Sequence, residues 1–95
     1  METFTVYILY SPSADKYYVG QTHDLEIRLK MHNELSLNSF TSKFRPWILK
    51  RSIDVESRAK AIKMEQFIKK KKSRKYIEAL INNDWVVEKL LISVG

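Results

Sequence analysis

Tyr7, Tyr18, Arg28 and Glu65 occur in that order along the chain, and together they carry the side-chain types that metal-assisted phosphodiester hydrolysis needs. A phenol can position or deprotonate water, and a guanidinium can grip a phosphate through two parallel hydrogen bonds. A carboxylate can ligate a hard divalent cation. Glu65 is the only acid between residues 57 and 77. That stretch also holds Arg58, Lys60, Lys63, Lys69, Lys70, Lys71, Lys72, Arg74 and Lys75. One carboxylate among nine bases is either a local ion-pair partner or a metal ligand on a phosphate-binding surface.

The surrounding pattern predicts the elements that must hold these groups. Residues 4–10 are β-branched and aromatic and read as a strand, and Pro12 with the polar residues up to Lys16 reads as a turn. Residues 17–22 then read as the returning strand of a hairpin. Gly20 lies inside or at the end of that strand, where a missing Cβ implies a bend or the close approach of another group. Thr22 or Asp24 can cap a helix from Leu25 to about Asn33 that places Arg28 beside a Leu25–Leu29–His32 stripe. Residues 34–46 read as a loop and 47–53 as a third strand with imperfect alternation. Ser57 caps a second helix to about Lys71, with Ala61, Met64 and Ile68 inward and Glu65 at the margin of that stripe. That margin argues against reading Glu65 as a mere i,i+4 partner for Lys69. Ser73 caps a third helix, with Tyr76, Ile77, Leu80 and Ile81 inward, and residues 82–84 break it. Residues 85–94 are apolar and fit a short strand or a helix. The expected fold is α/β of the α+β kind, a three-stranded antiparallel sheet flanked by helices in the order β-β-α-β-α-α.

The bulk properties narrow the function. Ninety-five residues make one domain, which buries roughly 60–70% of its unfolded surface. Cysteine is absent, which excludes disulfides and thiolate-bound zinc. No window approaches the ~18 apolar residues of a membrane span, so a soluble, cytoplasmic protein is the simplest expectation. Seventeen bases against eleven acids give a net charge of +6, which favours a polyanionic partner. The excess is uneven: 43–51 and 58–75 are strongly basic, whereas 76–95 sets Glu78, Asp84 and Glu88 against Lys89.

Taken as an ordered set, these residues resemble the GIY-YIG nuclease superfamily. Thr5-Val6-Tyr7 stands for the first half of the signature and Tyr18-Val19-Gly20 for the second. Arg28, then His32-Asn33, and Met64-Glu65-Gln66-Phe67-Ile68-Lys69-Lys70 match the downstream pattern. Three positions depart from it. Thr5 replaces a glycine, Gln21 stands where some DNA-repair relatives have lysine, and Asp24 lies where many members have asparagine. The resemblance spans about residues 4–82, leaving 83–95 as an extension. It is nearest to small stand-alone members of the excinuclease-subunit-C-like type. It implies a metal-dependent endonuclease with one Mg²⁺ or Mn²⁺ on Glu65, and with Tyr7 and Tyr18 side by side near the scissile phosphate. One of the two would be, or would orient, the general base, and Tyr18 is the favoured one. Arg28 would stabilise charge on the phosphate, and His32 would bond Tyr18 or a phosphate or serve only the helix.

For the nucleic-acid backbone, DNA more than RNA, the expected contacts are Gly20, Lys43, Arg45, Lys50, Arg51 and Lys69. Lys43, Arg45, Lys50 and Arg51 are preferred because they flank aromatics in a loop and strand. The run Lys69–Lys72 is spread around a helix end, and part of it reads as solubilising surface. Phe40 and Trp47 read as core. A monomer or weak homodimer is expected, a single site cutting one strand at a time. The rival reading is a nucleic-acid docking module of the same fold without the chemistry.

Overall fold

The computed structural model of the protein describes residues 3–35 and 43–94. Strand β1 (Phe4–Ser11) pairs with β2 (Lys16–Thr22) on one side and β3 (Ile48–Val55) on the other, all antiparallel, in the order β2-β1-β3. Helix α1 (Leu25–Lys30) runs into a π-helical turn (Met31–Leu35). After β3 come α2 (Arg58–Lys71), α3 (Arg74–Asn82) and α4 (Asp84–Val94). The order is therefore β-β-α-β-α-α-α, with residues 85–94 helical. Leu90 of α4 lies in the main core, so this segment is an integral layer.

Why β1 is the middle strand follows from its composition. Its side chains alternate between two apolar layers, as a strand's must. Phe4, Val6 and Ile8 join Val19, Ile53 and Val55 against Ala61, Met64, Ile68, Leu80 and Leu90 of the later helices. Tyr7 and Leu9 point the other way and pack with Trp47, Tyr18, Leu25, Leu29 and Phe44. Each face of the sheet is covered, and the small layer on the α1 side contains both signature tyrosines. Trp47 is core, as expected; Phe40 lies outside the described residues.

The poor alternation of the third strand has a specific cause. Ile8 pairs with Arg51 and Leu9 with Leu49, so Lys50 is the extra residue of a β-bulge. The bulge puts Leu49 on the other face with Leu9, whereas Arg51 follows Ile53 and Val55 by simple alternation onto the face of Ile8, toward α3 and α4. There Arg51 Nε donates to the Leu80 carbonyl (2.7 Å), Nη2 to the Ile81 carbonyl (2.9 Å) and Nη1 to Asp84 Oδ1 (3.0 Å). Arg51 caps the end of α3, so its guanidinium, expected at the nucleic-acid backbone, is engaged by acceptors of this chain.

Capping chemistry sets the helix starts. Asp24 Oδ1 accepts from the Ile27 amide, Ser57 Oγ from Lys60 and Ser73 Oγ from Tyr76. Thr22 takes the supporting role, its hydroxyl accepting from the Asp24 amide at 3.0 Å. Helix α2 ends with Lys72 in the left-handed region at φ 48°, and Ser73 opens the next helix at once.

Candidate active site

Gly20 is what allows the two tyrosines to share a surface. It pairs with Tyr7 across the hairpin, and Leu9 pairs with Tyr18, so the tyrosines are diagonal neighbours on one face. A Cβ on Gly20 would stand 2.5 Å from Tyr7 Oη and 2.6 Å from its Cζ. Without one, the Tyr7 ring lies flat across β2, its centroid 6.3 Å from that of Tyr18 with the planes 29° apart. The close approach expected at Gly20 is therefore made by Tyr7. Gly20, expected at the nucleic-acid backbone, is buried beneath that ring. Gln21 pairs with Val6 and so faces the opposite layer, away from the tyrosines; its Oε1 is buried with no hydrogen-bond partner among the described residues.

His32 completes the layer. The helix expected to run to Asn33 becomes a π-helical turn at Met31, a register change that swings His32 onto the sheet. Its Nε2 shares a 2.9 Å hydrogen bond with Tyr7 Oη, and its ring meets Tyr18 edge-on at 4.7 Å. The bond is thus to Tyr7, a partner not among the sequence's alternatives of Tyr18, a phosphate or the helix alone. The turn is held from outside. Arg45 Nε donates to the His32 carbonyl at 2.6 Å and Nη2 to the Met31 carbonyl at 3.1 Å. Asn33 clamps Trp47, donating to its carbonyl (3.1 Å) and accepting from its amide (2.6 Å). Arg45, expected at the nucleic-acid backbone, thus has its guanidinium on the carbonyls of the turn that carries His32.

Burial and charge keep this inner pair neutral. Burial, and after it the neighbouring Tyr18 hydroxyl, holds the Tyr7 phenol well above the usual tyrosine range; Arg28 opposes this and Glu65 adds to it. Burial, then the positive charges of Arg28 and Arg45, pushes His32 down to about 4. Arg28 thus faces the Tyr7–His32 pair from α1, and it forms no ion pair with Asp24, Glu26 or any other side chain among the described residues.

Glu65 reaches the same surface from the far layer. Helix α2 buries Ala61, Met64 and Ile68 beneath the sheet and packs against β2, which leaves Glu65 and Lys69 at the β2 edge. Lys69 Nζ donates to Glu65 Oε2 at 2.6 Å and sits 5.8 Å from the centre of the Tyr18 ring. The i,i+4 ion pair disfavoured by the sequence pattern is present, and it coexists with a position beside the tyrosines. Lys43 and Lys50 are exposed, and the Lys50 ammonium lies 6.0 Å from the Tyr10 ring centre.

Among the described residues no group of three His, Asp or Glu side chains could hold an ion. The donor set is one partly buried carboxylate. That suits a hard cation such as Mg²⁺, which keeps several waters and takes one or two carboxylates plus substrate phosphate oxygens, and it does not suit a closed zinc centre.

Residues 3–77 match the model of the GIY-YIG catalytic domain, and the chain belongs to that family. Its members are nucleases, hydrolases that generally use a divalent metal, and membership implies nuclease activity in general. A curated relative, UPF0213 protein YsiG of Lactococcus lactis, is 36% identical over 92 residues, covering 96% of this chain and 86% of that protein. No solved structure matches the chain. Among the described residues no helix is long and apolar enough to cross a membrane.

Proposed function

We propose that the protein is a divalent-metal-dependent endonuclease that hydrolyses phosphodiester bonds in nucleic acid, DNA in preference to RNA. The observation that carries this reading is the convergence of Tyr7, Tyr18, His32, Arg28 and Glu65 on one end of the sheet. They come from β1, β2, α1 with its π-helical turn, and α2.

Each group has a role that its surroundings suit. Tyr18 is half-buried at the rim and can orient the attacking water and, as the phenolate, accept its proton to become the phenol. Tyr7 is 1% exposed and kept protonated, so it acts through its hydrogen bond to His32 as a fixed neutral dipole beside Tyr18. Arg28 carries a guanidinium with no ion pair among the described residues, able to bind the phosphoryl oxygens as charge builds there. Glu65 would hold Mg²⁺ or Mn²⁺, which would supply polarisation of the phosphate and a lowered pKa of bound water. Phosphate contacts carry no sequence information, so the domain by itself discriminates weakly between sequences.

The test is cleavage of labelled single-stranded, duplex and branched DNA and of RNA in Mg²⁺, Mn²⁺ or EDTA, with Glu65→Gln alongside. Metal-dependent cutting that Glu65→Gln abolishes while binding survives is the expected result. Arg28→Ala should lower turnover about 10²–10³-fold, as loss of one oxyanion-binding donor does elsewhere. Binding without cutting under every condition would replace this reading with a docking module.

A further inference from the structure

Along the outer edge of β2, where α2 hands over to α3, runs an open groove of about 420 Å³. Tyr18 and Lys69 line it, so it opens directly from the candidate active site. Beyond them its walls carry Lys72, Arg74 and Lys16, with Asp15 the only acid. Asp15 is already engaged: Tyr10 Oη donates to its carboxylate at 2.7 Å and the Arg74 guanidinium pairs with it. These hydrogen bonds, Tyr10 first and then Arg74, hold the Asp15 carboxyl below its usual range. Arg74 also reaches Glu78, so it stiffens the wall and pins the hairpin turn to α3. The Lys16 ammonium lies over the Phe44 ring.

Lys72 differs from these neighbours. It forms no ion pair among the described residues, it is exposed, and it occupies the left-handed conformation that closes α2. That is the backbone position where glycine is favoured and where a lysine costs conformational energy. The cost brings no packing in return, since the side chain stands in solvent at the groove wall. A cation so placed fits an anionic ligand that arrives from outside.

We propose that this groove carries the substrate's phosphate backbone on one side of the scissile bond, with Lys72 holding a flanking phosphate and Lys69 the one nearest the site. This rests on the nuclease reading and adds a direction to it: the strand leaves the active site along the outer edge of β2 toward the α2–α3 junction. Lys69 then has two partners, Glu65 in the free protein and phosphate once a cation takes the carboxylate.

The experiment measures equilibrium binding of a fluorescent oligonucleotide in EDTA as a function of salt, for the parent, Lys72→Gly, Lys72→Arg and Lys63→Ala. Glycine at 72 removes the ammonium but relieves the backbone, so its thermal midpoint should be no lower than the parent's. Its affinity should fall several-fold, and its salt slope should shrink by about 0.7–0.9, the signature of one lost phosphate contact. Lys72→Arg should retain the parent's slope, and Lys63→Ala, on the opposite side of α2, should match the parent. Equal losses at 63 and 72, or no loss at 72, would overturn the groove while leaving cleavage by the parent to support the nuclease reading. Intact groove-dependent binding by a parent that never cuts would do the reverse. A parent that neither binds nor cuts would sink both.

Discussion

Two basic segments of this molecule are alike as strings of letters and do different work. Between 43 and 51, Arg45 and Arg51 turn their guanidiniums inward onto carbonyls of the π-helical turn and of α3. Between 69 and 74, Lys69 and Lys72 keep ammonium groups on a groove that opens from the tyrosines. Flanking aromatics favour 43–51 as the nucleic-acid contact when only the letters are considered, and the crowding of charge gives 69–74 the character of solubilising surface. What separates them is donor geometry. The planar fork of arginine can satisfy two carbonyls at once, whereas lysine is a solvated point charge. A basic cluster is therefore read best by asking which of its members already have acceptors.

The contrast breaks most readily at Arg51. Arg51→Met strips the donors from the Leu80 and Ile81 carbonyls and should cost roughly 2–3 kcal/mol of stability. Urea denaturation reads that loss, while the folded fraction binds oligonucleotide with the parent's affinity. A large binding defect at full stability would put Arg51 back among the phosphate ligands. Arg45→Met comes next, at about 1–2 kcal/mol, and it should depress cleavage by loosening the turn that carries His32. It also removes a positive charge, so the His32 titration followed by NMR should move up from about 4.

A pH series sharpens the same point with a smaller signal. The unfolded histidine takes up a proton below its ordinary value of 6.5, whereas the folded one does so only near 4. The unfolded state therefore binds more protons in that window, so stability should fall as pH drops from about 6.5 toward 4. His32→Gln should remove this component, visible as the difference between the two urea-midpoint profiles, since lowered carboxyls such as Asp15 and Glu56 contribute to both. The smallest effect belongs to Lys50→Ala. With its ammonium exposed above Tyr10, it should change stability by less than about 0.5 kcal/mol. A salt slope altered by about one unit would show that the 43–51 segment touches phosphate after all.

Much of this architecture was legible from local chemistry. Ser57 and Ser73 announce helix starts because their hydroxyls satisfy amides only a few residues away. Ala61, Met64 and Ile68 mark a buried stripe because helical period is a local property. The close approach at the scarce Gly20 and the marginal position of Glu65 follow from strand and helix geometry, and the family resemblance implied that Tyr7 and Tyr18 lie side by side. All of these are interactions over short spans of chain, or patterns that a short span dictates.

The rest required distant segments to meet. The bulge at Lys50 lets β3 keep pairing with β1 while Trp47 fills the α1-side layer, and the acceptors that engage Arg51 come from α3. The π-helical turn that delivers His32 to Tyr7 depends on Arg45 and Asn33 reaching across a connection. The ambiguous residues 85–94 become helix because Leu90 finds the core under α2 and α3. The groove that gives Lys72 its place is made by the edge of β2 and the junction of two helices much further along the chain. Sequence determined the side-chain inventory and the periods of its elements, because those depend on neighbours along the chain. Tertiary structure alone decided which cations stay free for a ligand, because hydrogen-bond acceptors and burial come from residues far apart in sequence.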